Sequence, residues 1–219
     1  MIYDSSGKLL VSNDAATAIT YTKPLSVTSQ EMYDVANNLT KYISVDTSQL
    51  TENMKQAYYL GSTANAEKVQ KYIKDANSLS GSALYKQEMA YVKDHGLVNN
   101  LSPQQQQAAV LYNKMDGAYS LSTVMLKANG VSAVEMAQVG AHLSQLPGVK
   151  IGTSWSRSYP GGDSIKEIAG TVTTEKQGLP SDKLNILLAE GYSRNDSVGS
   201  SYIESQYEDA LKGDSEIIK

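Results

Sequence analysis

The chain has 219 residues, 41% hydrophobic and 19% charged, enough to bury a core in one elongated domain or two small ones and too apolar for a disordered tail. Nineteen Lys and Arg against 23 Asp and Glu give a net charge of −4, with no basic run to neutralise phosphates, which argues against nucleic acid as a partner. The absence of cysteine excludes disulfides, Cys-ligated metal and thiol catalysis, and leaves the redox compartment open.

No stretch approaches the ~18 apolar residues of a membrane span, and Met1–Asp4 lacks both the basic and the apolar part of a signal peptide, so the chain as written reads as soluble. The aromatic set is fifteen Tyr, one Trp and no Phe. Tyr half-buries its ring and keeps its hydroxyl wet, which suits an extended shape with thin cores.

In chain order, Ile2-Tyr3, the turn Asp4–Gly7, Leu9–Val11 and Ala18–Thr22 read as a hairpin followed by a separate strand, with Gly7 supplying a positive φ. Lys23-Pro24 ends it. From 27 to 119 the period becomes helical. Thr28 and Glu31 form a capping box ahead of Met32, Val35, Ala36, Leu39 and Ile43. Thr51 starts a second helix, with Met54, Ala57, Tyr58 and Leu60 on one face and Gly61 at its end. A third carries Ala66, Val69, Tyr72, Ile73 and Ala76, a fourth runs from Ala83 to His95, and Ser102-Pro103 opens a fifth with Ala108, Ala109, Leu111, Tyr112 and Met115 buried.

Residues 120–156 read as strand, helix, strand: Leu121–Lys127, a helix capped by Ser132 with Glu135 at its third position, and Val149–Trp155. Beyond them, Ser164–Gly170 and Asp182–Glu190 are expected as short helices, Gly170–Thr174 as a short strand and Ser200–Leu211 as one helix. The fold class expected is α+β, elongated, with a mostly helical insertion, 27–119, between two α/β segments. The remaining pieces are 1–26, 120–156, 157–213 and a linker, 214–219.

Few constellations offer chemistry. Ser5-Ser-Gly-Lys8 and Ser193-Arg-Asn195 match two of the three signatures of penicilloyl serine transferases, but S-x-x-K needs a helix to set the amine beside the hydroxyl, and Ser5 falls in a turn; K-[ST]-G is absent. His95 and His142 have no second ligand at metal spacing, and His95 suits the negative end of a helix dipole. No serine sits in a G-x-S-x-G elbow, and Pro160-Gly-Gly-Asp163 is a tight turn rather than a phosphate loop. Asn195–Gly199 lacks the alternating acids of a calcium loop and reads as a cap for the last helix. There Glu204 and Glu208 lie one turn apart; such a pair can serve as acid and base, although a salt bridge to a neighbouring strand is the simpler reading. No catalytic residue, metal or cofactor is assigned. An enzyme of another class would rest only on scattered Ser, His and Glu.

The tail carries Gly191-Tyr192, Asn195-Asp196, Val198-Gly199-Ser-Ser-Tyr-Ile-Glu204, Gln206-Tyr207-Glu208 and Leu211-Lys-Gly213. This resembles the closing motif of the N-terminal non-catalytic module of class B penicillin-binding proteins. Ile2-Tyr3-Asp4 with Gly7 and Leu10 is similar to the family's opening motif, and Arg157-Ser-Tyr159-Pro160 with Gly162 and Ile168-Ala-Gly170 to its middle one. The helical block, with Tyr59-Leu60-Gly61, resembles the insertion of the elongation-type enzymes of Gram-positive bacteria.

The resemblance implies that the helical insertion is the head, and the α/β segments the two parts, of a pedestal that positions a separate transpeptidase domain, in a parent anchored on the outer face of the cytoplasmic membrane. It also implies protein partners, namely an MreC-type scaffold and a SEDS-family glycosyltransferase, and a weak homodimer. The structural motif residues carried over are Tyr3, Asp4, Gly7, Arg157, Tyr159, Pro160, Gly170, Gly199, Glu204, Tyr207, Glu208 and Gly213. In the family an opening Arg-Gly pair precedes the first motif and its Arg meets the closing Glu; here the chain starts after that pair, which leaves Glu204 without that partner. The competing reading is an unrelated extracellular adhesion or stalk module, favoured by the Tyr/Ser/Asn-rich composition.

Overall fold

A computed structural model describes every residue except 175–176, 193, 195 and 213–219. The chain forms two compact units: Thr17–Thr153, and Met1–Ala16 together with Ser154–Lys219. Residues 27–119 thus share their unit with the strand–helix–strand stretch that follows them.

The unit Thr17–Thr153 is built on the second half of strand β2 (Leu9–Thr22), on β3 (Thr123–Lys127) and on the first half of β4 (Val149–Ser158). β2 pairs antiparallel with β3, placing Tyr21 opposite Val124 and Thr22 opposite Thr123 with a bulge at Ile19/Thr20, and it also pairs with β4. Five helices follow the first strand: α1 (Ser29–Leu39), α2 (Glu52–Gly61), α3 (Thr63–Gln70), α4 (Gly81–Asp94) and α5 (Pro103–Asp116). Helix α6 (Ala133–Ala141) connects β3 to β4.

The starts of these helices follow side-chain chemistry. Thr28 Oγ1 accepts from the Glu31 amide and the Glu31 carboxylate accepts from the Thr28 amide. Ser102 and Gln105, and Ser132 and Glu135, form the same reciprocal pair at α5 and α6. Each box satisfies two amides that a helix start would otherwise leave unpaired.

The apolar stripes then meet. Ile19, Tyr21, Leu126 and Val149 from the strands bury against Met32, Val35, Ala36 and Leu39 of α1, Tyr58 of α2, Ala108, Leu111, Tyr112 and Met115 of α5, and Val139 of α6. Burial of each large side chain stabilises by about 1.5–3 kcal/mol, which makes this cluster the main source of cohesion in the unit. A smaller cluster of Leu60, Val69, Val92 and Val98 joins α2, α3 and α4. In the first cluster the Tyr58 hydroxyl donates to Asn37 Oδ1 at 2.8 Å, and burial pushes the Tyr112 hydroxyl up to about 12.

In the other unit β1 (Ile2–Tyr3) pairs antiparallel with the start of β2 across the Asp4–Gly7 turn. Helices α7 (Asp163–Ala169), α8 (Leu184–Ala189), α9 (Tyr202–Gln206) and α10 (Glu208–Leu211) follow β4. Leu179, Leu187 and Val198 form its apolar cluster, with Leu184, Leu188 and Tyr192 against them.

Four elements differ from the sequence expectation. β2 is one strand of 14 residues rather than a hairpin arm and a separate strand, because Asn13 and Asp14 find side-chain partners on β4 in Arg157 and Ser158. The third helix stops at Gln70, the chain passes through Asp75 at φ 57, and Ala76–Ser78 form a single 3-10 turn; Tyr72 is left exposed. The expected strand at 170–174 is reduced to one bridge, Val172 to Gly199. The expected helix 200–211 is two short helices, because Tyr207, at φ −115 and ψ 26, breaks it.

Candidate functional site

The middle and closing sequence motifs meet in the unit formed by the two chain ends, around one buried ion pair. Arg157, on β4, donates through Nη2 to Glu204 Oε2 of α9 at 2.7 Å, and through Nη1 to Asn13 Oδ1 of β2 at 2.5 Å. The Arg157 and Glu204 side chains are 7% and 1% exposed. A pair this dry holds only because each charge has the other, since the desolvation of one alone costs several kcal/mol. Glu204, expected to lack the opening-motif arginine, thus has its arginine from β4. Arg157 Nε and Glu204 Oε1 have no hydrogen-bond partner among the described residues.

Two glycines let the backbone that carries Glu204 approach closely. A Cβ on Gly199 would meet the Glu204 carbonyl oxygen at 2.0 Å, and a Cβ on Gly170 would meet the Ser201 carbonyl oxygen at 2.2 Å, where φ is also +90°. Only a residue without a side chain lets these backbones approach so closely. The Gly170 carbonyl accepts from the Tyr159 hydroxyl at 2.9 Å, and burial, with the Glu204 charge adding to it, raises the Tyr159 pKa. Lys166 lies over the Tyr159 ring at 5.9 Å.

Glu208 serves a different part of the motif. Its Oε2 accepts from the Gly199 amide at 2.6 Å and its Oε1 from the Tyr192 hydroxyl at 3.0 Å; burial and that hydrogen bond raise the Tyr192 pKa. Glu204 and Glu208 therefore face separate partners and do not form a paired acid and base. Tyr207, between them, is exposed. Pro160 opens the turn that the Gly162 amide closes on the Tyr159 carbonyl at 2.9 Å.

The opening motif acts as a turn former. Asp4 Oδ1 accepts from the Ser6 amide, the Ser6 hydroxyl and the Lys8 amide at 2.8, 2.6 and 2.9 Å; these bonds, the Ser6 hydroxyl first, hold its carboxyl below the usual carboxylate range. Gly7 has φ +82°, and Tyr3 is exposed. Ser5 sits in this turn, so the S-x-x-K spacing has no helix to align it. Gly213, Ser193 and Asn195 lie outside the described residues.

Sequence reasoning missed Asn13, Trp155 and Ser201. Arg157 stacks its guanidinium over Trp155 at 5.8 Å, and Trp155, Arg157, Tyr192, Glu190 and Lys212 border a cavity of about 450 Å³. Along the chain Asn13 reads as a turn residue, and only its tertiary pairing with Arg157 marks it. Each histidine instead closes a helix: His95 Nδ1 lies 2.9 Å from the Tyr91 carbonyl and His142 Nδ1 2.8 Å from that of Gln138. Among the described residues no group of three His, Asp or Glu could hold a metal ion, and no helix is long and apolar enough to cross a membrane.

The sequence model of the penicillin-binding protein dimerisation domain matches residues 1–219. The chain belongs to this family. It is 36% identical over 218 residues to Penicillin-binding protein 2A of Bacillus subtilis, covering 97% of this chain and 30% of that protein. It is 31% identical over 219 residues to Penicillin-binding protein 2B of Streptococcus pneumoniae strain D39, covering 97% of this chain and 32% of that one. The solved structure of Penicillin-binding protein 2B from S. pneumoniae strain 5204 superposes with a TM-score of 0.74 at 27% identity, over 95% of this chain and 33% of that one. The chain spans about a third of the length of the relatives it matches. These relatives are class B penicillin-binding proteins, and the mixed helix and sheet fold is that of their dimerisation domain. An unrelated adhesion or stalk module is thereby set aside.

Proposed function

We propose that this chain is the non-catalytic pedestal of a class B penicillin-binding protein on the outer face of the cytoplasmic membrane. It carries a transpeptidase domain at a set height and docks partners of the elongation machinery. The Arg157–Glu204 pair with its two close-packed glycines carries this reading. Arg157 and Glu204 hold each other, Glu208 holds the Gly199 amide and Asp4 the amides of its own turn, so the charged motif residues fix backbone segments, which is the work of a support. Penicillin binding and transpeptidation belong to the remainder of the parent protein.

Residues 27–119 serve in this reading as the head that meets partners. Tyr72 and Tyr85, 72% and 45% exposed, offer large amphipathic surface there, the residue type enriched at protein interfaces. An MreC-type scaffold and a SEDS-family glycosyltransferase are the partners proposed, with a weak homodimer as a further contact.

The test is biolayer interferometry of this chain against the extracellular portion of the cognate MreC-type scaffold. Binding is expected, and the Tyr72→Ser, Tyr85→Ser double variant is expected to weaken it about tenfold or more, equivalent to about 1.4 kcal/mol. No binding by the unaltered chain, or unchanged binding by the variant, would remove the head from the partner interface.

A further inference from the structure

The turn between β3 and α6 contains Asn129-Gly130, the one Asn-Gly step in the sequence. Both residues are exposed and Gly130 has φ +67°. We propose that Asn129 is a site of spontaneous covalent modification, converting to a mixture of aspartate and isoaspartate.

The chemistry needs only water. The Gly130 amide nitrogen attacks the Asn129 side-chain carbonyl carbon and forms a C–N bond; the bond from that carbon to Nδ2 breaks, and ammonia leaves with the proton that the glycine amide gave up. Water then opens the five-membered imide. Attack at the side-chain carbonyl gives Asp, and attack at the main-chain carbonyl gives isoAsp, which adds a methylene to the backbone. No electron transfer occurs.

What selects this step is the state of the attacking nitrogen. Among the described residues the Gly130 amide has no hydrogen-bond partner, and the residue has no side chain to hinder the ring. Two other steps of similar intrinsic chemistry are held. At Asn77-Ser78 the Ser78 amide donates to the Asp75 carbonyl at 2.9 Å, and at Asp116-Gly117 the Gly117 amide donates to the Asn113 carbonyl at 3.0 Å. Attack there requires a helical hydrogen bond to break first.

The product places a new carboxylate and, in the isoAsp form, a longer main chain just ahead of the Ser132–Glu135 capping box. Such a change in charge and backbone at a turn alters the local structure it joins.

The experiment is a time course of the whole chain in warm, mildly alkaline buffer, followed by tryptic digestion, mass spectrometry and isoaspartyl methyltransferase labelling. The peptide 128–150 is expected to acquire the mass of the acid first and to split into two products, ahead of the peptide containing Asn77. Asn129→Gln, whose ring would be less favourable, is expected to lose the conversion. Equal rates in the two peptides, or an unmodified 128–150 peptide after the other has converted, would overturn the proposal.

Discussion

Arg157 and Glu204, 47 residues apart, are joined by a largely buried 2.7 Å ion pair. The pair ties β4 to α9. Replacing Arg157 by Met leaves the Glu204 carboxylate buried and alone, and is expected to destabilise its unit by about 3–5 kcal/mol. The double variant Arg157→Met, Glu204→Leu removes both charges and is expected to recover most of that loss. Urea unfolding of the three proteins checks this; equal losses in the single and the double variant would mean that shape rather than charge is at stake.

Gly199 tests the close approach behind the pair. Gly199→Ala drives a methyl into the Glu204 carbonyl and is expected to cost several kcal/mol, about 3 or more, by backbone displacement. Gly81, the first residue of α4, has open space around its Cβ position. Gly81→Ala is expected to stabilise by about 0.4–1 kcal/mol, by restricting the unfolded chain. Thermal melts of the two variants should move in opposite directions.

The Glu135 carboxylate predicts an acid response. Its partial burial would raise its pKa, but the Lys127 ammonium at 2.7 Å and the Ser132 and Ser44 amides outweigh this and hold it down, at about 2 against 4.5. Because the folded value is depressed, its stabilisation is present above about pH 4.5 and fades as pH falls through about 2. The contribution is on the order of 2 kcal/mol after allowing for solvent screening. Denaturant midpoints measured across this window should fall for the unaltered protein and fall less steeply for Glu135→Gln.

Thr28→Ala removes the side-chain half of the α1 capping box. A loss of about 1 kcal/mol is expected, measured by the urea midpoint, and Thr28→Ser should restore it.

The legibility of the fold follows the range of the interactions. Thr28/Glu31 and Ser132/Glu135 act three residues apart, so a reading along the chain finds the starts of α1 and α6. Pro103 after Ser102 marks α5 in the same way. The long β2 was hidden because Asn13 and Asp14 look like turn residues until Arg157 and Ser158, 144 residues away, accept them into a strand. The break at Tyr207 was hidden for a similar reason. Glu204 and Glu208 have helical spacing, yet one is drawn to Arg157 and the other to the Gly199 amide and Tyr192. Motif resemblance named Arg157 and Glu204 separately, and only the tertiary fold makes them partners.

The most direct test of the account is to incubate the purified chain with a fluorescent penicillin, using Penicillin-binding protein 2B of S. pneumoniae in the same buffer as the labelled control. A non-catalytic support predicts a labelled control and no covalent fluorescence on this chain. A stable adduct on this chain, on Ser5 or any other serine, would contradict it.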